Sequence, residues 1–324
     1  MVRQLAIFCA LLATALVSCE TPQEASPAAS GPNPERLRVM TFNVMCSFCM
    51  FQDHPEWVHA WESRLPWLRD VITRHDPDLI GLQELQSLTV PAGEPSEIDQ
   101  LILPQSLYGA VWYRKQPQDP IQADYPDAAV LYRKDRFTKL DEGFFWLGPT
   151  PDQGYGAGFA NKATFPRLVA WALLHDTAGA RDLYVASTHF DNNAPNQQLS
   201  APLVLERLEP LAAQHPVVFV GDFNSKPDSL AYAILATGKG AQPGQPGQGF
   251  HFQNAFDLAT KWAAVTNGDL PATYDPQQRI DHFWLAGAPF QVAAWTVDLW
   301  TYGTPAQAPS DHDAMLTDLV WPLP

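Results

Sequence analysis

Basic residues are scarce. The 324-residue chain has 20 Lys+Arg against 35 Asp+Glu, a formal charge of -15. Proteins that grip nucleic acid by bulk charge use Lys and Arg to neutralise phosphates, so a basic architectural nucleic-acid binder is excluded. A site where bound cations supply positive charge locally is not excluded. Cysteine is scarce as well. The 4 in the chain are too few for a disulfide framework, and a chain of this length can bury a core without one. The apolar run of residues 5–17 is too short to span a bilayer well, and the sequence does not read as a polytopic membrane protein. What is plentiful is core-forming material: 46% hydrophobic and 11% aromatic residues, which argues against a disordered polymer.

The first residues read as an address. Arg3 precedes the run Leu5 to Val17, and small residues follow, the pattern of a secretory signal over residues 1–18. Leu16-Val17-Ser18-Cys19 resembles the bacterial lipoprotein lipobox, in which the Cys becomes the lipidated first residue of the mature chain. The resemblance implies a membrane anchor through Cys19, and Glu20 after it favours the outer membrane of the bacterial envelope. Residues 19–36 are rich in Pro, Ala and Ser without apolar periodicity, which fits a flexible tether. Cys46 and Cys49 then remain, as Cys-Ser-Phe-Cys. A lone C-x-x-C with no second Cys/His pair is a weak zinc signal, so a small structural disulfide, dispensable for catalysis, is expected in an oxidising compartment.

The rest, 37–324, alternates strands and helices, and one α/β domain is the economical reading. LRVMTFNV, DPDLIGLQEL, AAVLYR, LVAWALL, DLYVAST and PVVFVGD are strand candidates, as are RIDHFWL, QVAAWTVDLW and a last strand from near His312. Trp57, Trp61, Leu65, Leu68 and Ile72 lie on one face of a helix, with a kink or restart near Ser63 because Pro66 interrupts it. A second helix covers Ala194–Gln214, and Gly238–Gly249 reads as a mobile surface loop.

Polar residues gather where these strands end. Asn43, Glu84, His189, Asp222 and Asn224 each close one, Asp281 lies in RIDHFWL, and Asp311-His312 precede the last. Each has an ordinary explanation taken singly, as a turn former, an ion-pair partner or a core histidine. Together they are hard oxygen donors and imidazoles, a set that suits Mg²⁺ or Mn²⁺ better than zinc.

The segments MTFNV, DLIGLQE, STHFDN, GDFNSKPDS, RIDHFWL and SDHDAM occur in order over roughly residues 37–320. In this the chain resembles the endonuclease/exonuclease/phosphatase family of metal-dependent phosphoesterases. The resemblance implies a DNase I-like fold, a four-layer α/β sandwich of two packed mixed β-sheets flanked by helices. It implies Mg²⁺ or Mn²⁺ held by Glu84, with Asn43 and Asp311 beside it. It also implies catalytic roles for five residues. Asp281 holds His312, Asp222 positions or deprotonates the attacking water, Asn224 donates to a non-bridging oxygen, and His189 stands near the leaving group. Either Asp222 or His312 is the general base. The expected activity is hydrolysis by a monomer, as phosphatase or phosphodiesterase, of a phosphate ester in a small molecule, a lipid head group or nucleic acid; an extracellular nuclease and a non-catalytic binding lipoprotein are the alternatives. Asn43 is followed by VMCSFCMF, which departs from the AP-endonuclease type, and GDFNSKPDS departs from inositol-polyphosphate 5-phosphatases. GDFNSKPDS is closer to deadenylase-like and secreted bacterial members, yet THFDN lacks the tryptophan-containing continuation typical of deadenylases. Arg114, Lys162 and Arg167 are either phosphate contacts or ordinary surface charge.

Overall fold

Apolar residues fill both faces of β1 (Arg36–Asn43): Leu37 and Val39 point into one core cluster, Met40 and Phe42 into another. The same holds for β8 (Val217–Asp222), where Val218 and Val220 face one cluster and Val217 and Phe219 a second. Strands buried on both faces read as continuous apolar runs, and each must lie between two layers. The computed structural model describes residues 33–322 except 48, 50–59, 86–94, 103–106, 115–124, 154–157, 160–164, 269–273 and 305. The signal, Cys19 and most of the tether lie outside the described residues, as do Trp57 and Lys162.

One sheet runs β10 (Trp262–Val265), β12 (Gln291–Asp298), β13 (Ala314–Val320), β1, β2 (Leu79–Gln83), β4 (Tyr125–Arg133), β3 (Tyr108–Tyr113). The other runs β5 (Phe137–Trp146), β6 (Leu168–Asp176), β7 (Arg181–His189), β8, β11 (Asp281–Ala286), β9 (Gln253–Asn254). Between them, Val39 and Leu79 of the first sheet share a cluster with Val185, Val218 and Val220 of the second. Helix α1 (Trp61–His75) covers the outer face of the first sheet with Trp61, Leu68 and Ile72. Helices α3 (Ala194–Ala212) and α4 (Leu230–Thr237) cover the second with residues such as Val204, Leu208 and Leu235; a short α2 (Glu97–Ile102) and α5 (Ala255–Leu258) complete the set. This is the expected sandwich of two mixed sheets between helices. Helix α1 starts at Trp61, two residues before Ser63, so Pro66 falls inside it.

Register places the polar residues at one end. β1 and β2 are parallel with Asn43 opposite Gln83, and β7 and β8 are parallel with His189 opposite Asp222. β11 and β13 run the other way: Asp281 pairs with Asp222, and Met315 with Thr41. Strands that run toward this end therefore deliver their last residues, and strands that leave it deliver their first. Close packing enforces the register. A Cβ on Gly221 would come 2.1 Å from Thr188 O, and its φ of +149° suits glycine. A Cβ on Gly81 would meet Val220 Cγ2 at 2.3 Å, which keeps the two sheets close beneath the site.

The segment Gly238–Gly249 differs from expectation. It is folded back on itself by antiparallel bridges Lys239–Gln248 and Gln242–Gln245, with Ala241 buried. Backbone pairing holds it where side chains offer little to bury.

Candidate active site

Asp222 ends β8 and is the hub. Its Oδ2 accepts from Asn43 Nδ2 at 3.0 Å and lies 3.4 Å from His189 Nε2 and 3.7 Å from His312 Nε2. Its Oδ1 accepts from the Asn224 N–H at 2.8 Å, a tight Asx turn that sets Asn224 at φ +48°. Burial pushes this carboxyl up, but His312, His189, the Asn224 N–H and Asn43 outweigh it and hold Asp222 below the ordinary range. One Asn224 amide N–H donates to Phe190 O at 3.0 Å, and among the described residues the other amide hydrogen has no acceptor.

His312 Nδ1 lies 2.8 Å from Asp281 Oδ2. Thirty-one residues separate the two in sequence, and the antiparallel entry of β11 and β13 brings them together. Burial lowers the imidazole's pKa, but Asp281 and Asp222 raise it well above its usual value. Burial raises the Asp281 carboxyl to about 6 against the pull of His312, and its Oδ1 is buried with no hydrogen-bond partner. Near neutral pH the two form an ion pair. Buried His282, next to Asp281, donates from Nε2 to Ser225 O at 2.7 Å; burial lowers its pKa to about 3, so it stays neutral and anchors the loop after Asp222.

A second histidine–aspartate pair, not foreseen from sequence, faces the first across Asp222. His189 Nδ1 lies 3.1 Å from Oδ1 of Asp127, which sits near the start of β4. Arg167 is not ordinary surface charge. It is buried, and its Nη1 lies 2.9 Å from Asp127 Oδ2 and 2.6 Å from His189 Nδ1. Burial pushes Asp127 up, but Arg167 and His189 bring it down to about 2. The only sequence cue to Asp127 was a carboxylate placed ahead of the apolar run AAVLYR.

Glu84 follows β2 at φ +67°. Its Oε1 accepts from Asn43 Nδ2 at 2.9 Å and its Oε2 from the Cys46 N–H at 3.0 Å. Asn43 Oδ1 meanwhile accepts from Met45 N, so its amide links the Glu84 and Asp222 carboxylates. Ser310 Oγ donates to Asn43 O at 2.7 Å and brings Asp311 and His312 to the end of β1. Beneath, fully buried Arg64 donates to Val44 O, Met45 O and Pro309 O, tying the loop after β1 to the segment before Asp311. Cys46 and Cys49 form the expected disulfide, but not at a distance from the site: Cys49 Sγ is 3.7 Å from Glu84 Oε2.

The oxygen donors fit a hard divalent cation. Glu84 and Asp311 repel each other electrostatically, and buried Arg64 below them attracts both while donating hydrogen bonds to backbone carbonyls. Two clefts open onto the site. One is lined by the disulfide, Glu84, Tyr125, Phe165, Arg167 and His189. The other, of about 240 Å³, is lined by Tyr274, Arg279, His312 and the acids Asp275, Asp281, Asp311 and Asp313. Exposed Arg114 stacks on Trp112, its guanidinium carbon 3.3 Å from the ring centre.

Comparison with known proteins agrees with this fold. The mannosyl-6-phosphatase of Bacteroides thetaiotaomicron superposes with a TM-score of 0.66 at 21% identity, over 88% of this chain and 100% of that one. The human nocturnin catalytic domain with bound sulfate gives 0.60 at 18%, over 90% and 96%. At such identities these likenesses concern the fold. In sequence, the Ccr4 3′-5′-exoribonuclease subunit of the CCR4-Not complex from Saccharomyces cerevisiae is 25% identical over 290 residues, 76% of this chain and 33% of that protein. The match thus spans about a third of the length of the yeast protein and of a mimivirus relative, and at most 58% of the other curated relatives. The Endonuclease/Exonuclease/phosphatase family matches residues 40–312, from the middle of β1 to His312, and the chain belongs to that family of phosphoric-ester hydrolases.

Proposed function

We propose that this protein is a divalent-metal-dependent hydrolase of small phosphate esters rather than of nucleic acid. The observation that carries the reading is the acidic cleft beside His312, where four aspartates line one approach to the centre. A nucleic-acid strand would lay successive phosphates along such a surface with few Lys or Arg to neutralise them. A single phosphoryl group needs compensation only at the centre. The mannosyl-6-phosphatase likeness supports the same choice. The Ccr4 similarity favours the alternative, a nuclease.

Glu84 would hold the ion, with Asn43 and Asp311 beside it. When bound, Mg²⁺ or Mn²⁺ supplies Lewis-acid polarisation of a phosphate oxygen. Asp281 and Asp222 favour the imidazolium form of His312, and we assign the base role to Asp222, which would orient the attacking water and take its proton. The His312 imidazolium and the free Asn224 amide hydrogen donate to phosphate oxygens as negative charge builds on them. His189, held by Asp127 and Arg167, steadies Asp222 from the other side and stands near the leaving oxygen.

The test is a panel of a sugar phosphate, p-nitrophenyl phosphate, bis-p-nitrophenyl phosphate, sphingomyelin and an oligonucleotide. Turnover of small esters, abolished by EDTA and by Glu84→Gln and restored in the wild type by Mg²⁺ or Mn²⁺, is expected. Faster turnover of the oligonucleotide would reverse the substrate assignment, and activity that survives EDTA would end the metal mechanism.

We further propose that the protein works as a monomer in the bacterial envelope, anchored through Cys19. The lipobox-like sequence supports this, as does a disulfide, which oxidising compartments favour. Cys19→Ala should move the protein from the detergent phase to the soluble fraction, and an unchanged partition would refute the anchor.

A further inference from the structure

We propose that reduction of the Cys46–Cys49 disulfide creates a zinc site from Cys46, Cys49 and Glu84, and that zinc bound there withdraws Glu84 from the hydrolytic centre. Taken alone, the C-x-x-C lacks a second pair of ligands. The fold supplies a third ligand from 35 residues away: one ligand atom each of Cys46, Cys49 and Glu84 lie within 4.8 Å of one another.

The spacing suits the ion. With Zn–S near 2.3 Å and Zn–O near 2.0–2.2 Å, neighbouring ligand atoms of a tetrahedral site stand about 3.5 Å apart. Cys49 Sγ and Glu84 Oε2 are already 3.7 Å apart. The two cysteine Cα atoms are 5.1 Å apart, so the sulfurs need only rotate away from each other once the bond between them is broken. The Cys46 N–H holds Glu84 Oε2 at 3.0 Å and fixes the carboxylate's direction, as groups behind metal ligands commonly do. A water would fill the fourth position.

The chemistry balances. A dithiol reductant gives two electrons and two protons to the S–S bond, leaving two cysteine thiols and the reductant as its own disulfide. Zinc then displaces the two thiol protons. Two thiolates prefer zinc to Mg²⁺, whereas in the oxidised protein the sulfurs are masked and Glu84 is left to a hard ion. The inhibitory half of the proposal rests on Glu84 serving the hydrolytic ion; the binding half does not.

Cobalt(II) is the probe, since thiolate coordination gives it an intense charge-transfer absorption. The purified chain is reduced, freed of reductant without air and titrated, with near-ultraviolet circular dichroism recorded on the same sample. One cobalt per chain with the thiolate band is expected, displaced by one equivalent of zinc. The oxidised protein and reduced Cys49→Ser should not give the two-thiolate band. Reduced Glu84→Gln should keep thiolate absorption but bind at least ~10-fold more weakly. Zinc at one equivalent should inhibit Mg²⁺-supported turnover of the reduced protein and spare the oxidised one. A folded, reduced protein without the band overturns the proposal. So does an affinity indifferent to Glu84→Gln, or loss of the fold on reduction. A protein inactive in both redox states would instead overturn the functional reading, and the cobalt band would still decide the zinc site.

Discussion

On one side of Asp222 stands His312 with Asp281, and on the other His189 with Asp127. Each imidazole presents Nδ1 to an aspartate and turns Nε2 toward the same Asp222 oxygen. The surroundings differ by one residue. Arg167 sits against Asp127 and His189, whereas among the described residues Asp281 has an orphaned oxygen and no arginine paired with it. Asp127 is accordingly driven down to about 2 and Asp281 up to about 6. His312 is thereby free to hold a proton for the reaction. His189 is pinned, because arginine only donates and competes with Asp127 for the one Nδ1 position. In the proposed mechanism the two similar dyads divide into a reacting one and a bracing one.

The largest effect should come from breaking the reacting pair. His312→Ala is expected to lower kcat by several orders of magnitude. Asp281→Asn should cost less, about the ~10²–10⁴-fold typical of acid–base groups. The double variant should be no worse than His312→Ala, because both changes disable one unit. Losses that multiply in the double variant would show two independent residues.

The bracing pair should respond in stability first. Arg167→Met leaves Asp127 buried with only His189 for a partner. A buried carboxylate stripped of its cation should cost about 3 kcal/mol, read as a lower urea midpoint at unchanged slope. Adding Asp127→Asn should recover part of that loss. A stable Arg167→Met protein with an intact midpoint would mean that His189 alone suffices.

The same contrast shows what the sequence made legible. Apolar runs marked β1, β2, β8 and β11; the polar residues that end the first three marked Asn43, Glu84 and Asp222, and Asp281 was visible inside the motif RIDHFWL at the start of β11. Residues at the start of a departing strand were harder, because Asp127 reads as an ordinary turn acid until β4 is known to run antiparallel to β2. Arg167 was visible as a cation, but its burial depends on the second sheet. The Cys46–Cys49 bond could be expected from spacing, whereas its contact with Glu84 depends on how β1 and β2 end side by side. In Gly238–Gly249, composition told of absent side-chain packing and was silent about backbone pairing.

The subtlest test of the comparison is the sign of the pH dependence of stability. Asp127 has a folded pKa near 2, below its unfolded value of about 3.9. Its contribution is present above about pH 4 and is lost as pH falls toward 2, because the unfolded chain binds the proton first. Asp281 has a folded pKa near 6, above the same unfolded value. Between about pH 4 and 6 the native state holds the extra proton, so this residue's contribution is greatest below pH 4 and declines as pH rises to 6. A displacement of about two pH units corresponds to about 3 kcal/mol for each, with opposite slopes in adjoining windows. Urea midpoints measured from pH 2.5 to 7 should therefore lose their acid limb in Asp127→Asn, and in Asp281→Asn lose the decline between pH 4 and 6. If both variants flattened the same window, the two aspartates would share one environment, and the division between reacting and bracing pairs would fall.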